Sequence, residues 1–74
     1  MPSLPVISGG EAVRALQRLG FTVVRQRGSH VVMQKKTIGS TITVPIPDHK
    51  EIRIGTLKSI IRQSQISSTE FEPD

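Results

Sequence analysis

The chain has no cysteine, no tryptophan and no tyrosine, and only two phenylalanines, Phe21 and Phe71. Without thiols it can build neither a disulfide framework nor a thiolate zinc site, which suits a reducing compartment. With so few aromatics it is poorly equipped to stack single-stranded bases on an open sheet. No apolar run approaches the ~20 residues of a membrane span. The opening Met1-Pro2-Ser3-Leu4-Pro5 lacks the basic flank and apolar stretch of a secretory signal. A cytoplasmic chain without membrane association is therefore expected. Acidic residues are scarce until the very end, where Glu70, Glu72 and Asp74 supply three of the six. Residues 1–69 hold ten basic side chains against three acidic ones and carry +7. Such an excess favours an anionic partner, with nucleic acid foremost for a compact domain.

What the chain does have is enough for one small domain. Its 74 residues leave little room for a large core or a roomy cavity, so a single unit over residues 1–74 is expected, with its core at about 6–71 and loose ends. Ser8 and Glu11 have the spacing of a capping box, in which side chains at a helix start satisfy two orphan amides reciprocally. Ala12, Ala15, Leu16 and Leu19 then recur at helical spacing on one face, and Gly20 closes the helix. Phe21 to Arg27 and His30 to Lys36 read as the two arms of a hairpin about Gly28-Ser29. Lys35 to Ser40 supplies the next turn. Thr41-Ile42-Thr43-Val44 alternates as a strand covered on one side, with Pro45 expected to end the ladder. A second helix is expected near Gly55-Thr56, with Thr56 as its cap and Leu57, Ile60 and Ile61 as its apolar stripe. Ile66 and Phe71 fold the tail back, Ser67 or Ser68 starts a short turn, and Glu72-Pro73-Asp74 frays. The order is α-β-β-β-α: an α+β domain with a three-stranded antiparallel sheet and both helices on one face, as in double-stranded RNA-binding domains. Two helices separated by three strands do not make a helix-turn-helix.

The residues that carry chemistry are few. Histidine titrates near neutrality and can act as general acid or base. His30 follows a Gly-Ser turn where a backbone can approach phosphate. Taking Val31 and Met33 as inward-facing puts His30 on the open face, and the same parity exposes Val32. A lone strand histidine is more often structural. A serine-type nucleophile is disfavoured because Ser29 and His30 point to opposite sides. Asp48, His49 and Glu51 are the sole cluster of metal-ligand types, better suited to turn hydrogen bonds or phosphate contact, so no metal or other cofactor is expected. Phosphodiester chemistry on RNA remains, because the ribose 2′-hydroxyl can be the nucleophile and the protein need supply only a proton carrier and positive charge. Lys35, Lys36, Lys58 and Arg62 lead as phosphate contacts, the last two projecting together at i, i+4.

Gly20-Phe21, Gly28-Ser29-His30, the proline-bounded third strand and the run Gly55-Thr56-Leu57-Lys58-Ser59-Ile60-Ile61-Arg62-Gln63, followed by Ile66-Ser67 and Glu70-Phe71, resemble the HicA family of bacterial toxins. The resemblance covers about residues 6–71. It implies a fold similar to double-stranded RNA-binding domains and ribosome-independent cleavage of mRNA. It also implies His30 as the catalytic residue, Gly28 and Ser29 shaping its approach, and inhibition by a HicB-family antitoxin. His49 inherits no role from it. Gln65 stands where the family usually has a glycine, and the C-terminus is short and acidic. A non-catalytic RNA-binding module using the same basic surface is the alternative reading.

Overall fold

The computed structural model describes residues 6–71. Helix α1 spans Gly9–Arg18, strands β1, β2 and β3 span Thr22–Arg27, His30–Thr37 and Ser40–Pro47, helix α2 spans Ile54–Ser64, and a single 3-10 turn covers Ser68–Phe71. The sheet is antiparallel in the order β1-β2-β3. This is the α+β arrangement expected from the residue pattern. The termini, including the fraying assigned to Glu72-Pro73-Asp74, lie outside the described residues.

The capping box forms. The Ser8 backbone N–H donates to Glu11 Oε1 at 3.0 Å, and the Glu11 N–H donates to Ser8 Oγ at 3.1 Å. These bonds, the backbone one first, hold the Glu11 carboxyl below the ordinary carboxylate value. Because the folded state favours the charged form, the cap stabilises α1 above that ordinary value and weakens as pH falls through the lowered one. Gly9, directly after the cap, is needed for closeness rather than for an unusual φ. A Cβ there would run into the Pro47 carbonyl oxygen and lie 2.9 Å from Asp48 Cα. The bare backbone instead lets the Gly9 N–H donate to the His49 carbonyl at 2.8 Å. A second stitch runs from the Ile52 N–H to the Ile7 carbonyl, also 2.8 Å. The start of α1 thus clamps the segment between β3 and α2.

Alternate residues of the sheet bury Met33, Val44 and Ile46 against Ala12, Ala15 and Leu16 of α1 and Leu57 and Ile60 of α2, with Phe21 and Phe71 closing the ends of the same core. Both helices therefore cover one face, and the other is left open. β1 is exposed along its whole length, and a bulge between Val23 and Arg25 shifts its register.

Four expectations need correction. β3 does not stop at Pro45: the ladder continues to Pro47, with Val32 opposite Pro45 and His30 opposite Pro47. β3 is an edge strand, and two prolines of the same parity can both direct their missing N–H away from β2. The turn expected over Lys35 to Ser40 contracts to Ile38-Gly39, because the pairing of β2 and β3 extends to Thr37 and Ser40. α2 begins at Ile54, with Arg53 as an N-cap that makes no side-chain hydrogen bond, so Thr56 is not the cap. Val32 is half-buried rather than exposed, flanked across the ladder by Arg25 and Pro45.

α2 ends on Gln65 at φ 59° and ψ 36°, a left-handed conformation that side chains resist; its N–H donates to the Arg62 carbonyl at 3.2 Å. Gln65→Gly is therefore expected to stabilise the domain by about 1 kcal/mol, raising the melting temperature by roughly 4–8 °C. An unchanged or lowered midpoint in thermal denaturation would show that this helix end carries no strain.

Candidate active-site groove

A turn of two residues places His30. Arg27 and His30 are direct partners, so only Gly28 and Ser29 connect β1 to β2. Gly28 has φ 58° while Ser29 does not enter the positive region, the pattern of a type II′ hairpin in which the first central residue is glycine. No atom lies within 4 Å of where a Gly28 Cβ would be, so it is φ and not space that calls for glycine. The Gln26 side-chain amide donates to the Gly28 carbonyl at 3.4 Å. Beyond the turn, the Asp48 N–H donates to the Ser29 carbonyl at 2.6 Å, tying the hairpin tip to the end of β3.

With Met33 inward, the period of two turns His30 to the open face, and its side chain is exposed. His30 stands at the rim of a groove of about 340 Å³ that runs between the outer side of β3 and the flank of α2. Pro45 and Pro47 form one wall, Thr56, Ser59 and Gln63 the other, and His49, Glu51 and Arg53 of the connecting segment line it as well. The groove therefore holds two imidazoles, one carboxylate, one guanidinium and several neutral hydrogen-bonding groups. Among the described residues, no three His, Cys, Asp or Glu side chains gather in a way that could hold a metal ion.

The expected phosphate contacts do not converge on this groove. Lys36 shares the parity of His30 but lies six residues along β2, roughly 20 Å away. Lys35 takes the opposite parity, and its Nζ sits 5.9 Å from the centroid of the Phe21 ring. Lys58 and Arg62 do not line the groove. At 100° per residue Lys58 falls on the outer side of α2, away from both Leu57 and Ser59, whereas Arg62 lies next to Ser59 and donates to its Oγ at 3.4 Å, bordering the groove without lining it. The cations nearest His30 along the ladder are Arg27, its partner, and Arg25, opposite Val32. Neither stands out by composition, yet the two-residue turn at Gly28-Ser29 was a sufficient signal, because it fixes Arg27 opposite His30. His49, Arg53, Ser59 and Gln63 are likewise brought to the site only by the packing of α2 beside β3.

The fold and groove define a small basic α+β domain that presents a histidine on the open face of its sheet. Over residues 9–66 the chain matches the family described as HicA toxin of bacterial toxin-antitoxin, and it belongs to that family. No curated protein and no solved structure matches it. The match takes in both helices and all three strands.

Proposed function

We propose that this HicA-family toxin is an endoribonuclease that cleaves mRNA in the cytoplasm without the ribosome, and that a HicB-type antitoxin holds it inactive. The observation that carries the reading is the position of His30: exposed, held by a tight turn, and lining a groove that mixes apolar and hydrogen-bonding groups, with Arg27 beside it. An imidazole there can take or give a proton, and the guanidinium can stabilise charge that develops on a phosphoryl group. Gly28 and Ser29 leave the approach to His30 open. Arg25, Arg27 and Lys36 supply phosphate contacts across the open face, Lys35 extends them at its edge, and Lys58 and Arg62 add a second basic surface on α2. An acidic antitoxin surface is the natural counterpart of this charge.

Purified protein is expected to cut an RNA oligonucleotide in the absence of ribosomes, and induced expression to arrest growth with loss of mRNA, relieved by a co-expressed HicB-type antitoxin. RNA affinity should fall steeply with salt, each phosphate contact removed by substitution lowering the log-log slope by about 0.7–0.9. Salt-dependent binding without cleavage would instead identify an RNA-binding module.

A further inference from the structure

His30 is not the only imidazole in the groove. His49 follows β3 by two residues and lies in a segment whose sequence suggested no more than turn hydrogen bonds or phosphate contact. The fold gives it a defined place. Pro47 is the cross-strand partner of His30, which sets their Cα atoms about 4.5–5.5 Å apart. The next residue, Asp48, donates its N–H to the Ser29 carbonyl at 2.6 Å, so the residues preceding each histidine are joined by a hydrogen bond. The His49 carbonyl in turn accepts the Gly9 N–H at 2.8 Å, the contact that the missing Cβ of Gly9 makes possible. Two backbone clamps therefore hold this segment, and both leave the His49 imidazole free. That side chain is exposed and lines the same groove as His30.

From this arrangement we infer that His49 is the second proton-transfer residue of the site, working with His30 as a general acid–base pair on one phosphodiester. The inference rests on the endoribonuclease reading and deepens it. One imidazole, neutral, takes the proton of the ribose 2′-hydroxyl as O2′ bonds to phosphorus. The other, protonated, gives its proton to O5′ as the P–O5′ bond breaks. The products are a 2′,3′-cyclic phosphate and a 5′-hydroxyl, and the histidines have exchanged protonation states, which solvent resets. No oxidant, reductant or further reactant is needed. Two groups with opposite protonation requirements give a bell-shaped dependence of rate on pH. Thr56, Ser59 and Gln63 on the facing wall can hydrogen-bond the phosphate between them.

The test uses the whole chain, an RNA oligonucleotide, and the same oligonucleotide with sulfur replacing O5′ at the cut. A thiolate leaves without a proton, so the sulfur substrate bypasses the general acid but still needs the base. His49→Ala and His49→Gln are expected to lose about 10²-fold or more on ordinary RNA and one limb of the pH profile. Because both clamps use backbone atoms, circular dichroism should show the variants folded. On the sulfur substrate, only the variant lacking the acid, whether at His30 or at His49, should recover its rate. Recovery of both variants or of neither would overturn the pairing. So would a His49→Gln protein with wild-type rate and profile, which leaves the function reading intact. Wild-type protein that cleaves neither substrate overturns both.

Discussion

His30→Ala is expected to lower RNA cleavage by roughly 10²–10⁴-fold, the usual worth of a positioned general acid or base, while leaving the domain folded. The two effects separate because of where the side chain sits. His30 is exposed on the face of the sheet that no helix covers, and the buried cluster of Leu16, Phe21, Met33, Val44, Ile46 and Leu57 does not include it. Its partners Arg27 and Pro47 are held by the ladder through backbone atoms, which alanine retains. The hairpin that presents it depends on Gly28 and on the bond from Asp48 to the Ser29 carbonyl, neither of which involves the imidazole. Cleavage rates and thermal midpoints of the two proteins, measured side by side, decide the matter. An unfolded variant would make His30 a structural strand residue, and a fully active one would remove it from the chemistry.

A single 2′-deoxy substitution at the scissile linkage is expected to abolish cutting there, the largest effect of all, because it deletes the nucleophile and not merely a catalyst. An internal hydroxyl beside phosphorus has an effective concentration that no external water matches, with well-oriented intramolecular reactions reaching ~10⁵–10⁸ M. A domain this small gains most from such a substrate, since it then need supply only proton transfer and charge stabilisation. His30, His49, Arg53 and the neighbouring Arg27 are enough for that. Mass spectrometry of early products should show a 2′,3′-cyclic phosphate and a 5′-hydroxyl, and cleavage should persist in excess chelator. Undiminished cutting at the deoxy position would point to activated water. Loss of activity with chelator would turn His49 and Glu51, which share the groove, into metal ligands.

Where the sequence succeeded, the signal was local. The capping box at Ser8 and Glu11, the apolar stripe of α1, the hairpin at Gly28-Ser29 and the burial of Phe71 all follow from spacing over a few residues, and each is seen in the structure. Where it erred, a neighbour distant in sequence had overridden a local rule. Pro45 reads as a strand terminator, but on an edge strand its absent N–H costs no ladder bond, so β3 continues to Pro47. Thr56 reads as a helix cap, yet α2 starts two residues earlier and Thr56 becomes part of the groove wall.

The same division holds for the site. The sequence by itself determined the element order, the face on which His30 stands and the basic character of the chain, because strand parity, turn chemistry and charge are properties of neighbouring residues. Only the tertiary structure decided that His49, Arg53, Ser59 and Gln63 share a groove with His30, and that Lys58 and Arg62 do not line it. Those relations depend on how α2 packs along β3 and how closely the start of α1 approaches the end of that strand. The close approach in turn requires a residue without a Cβ at Gly9, forty positions before His49 in the chain.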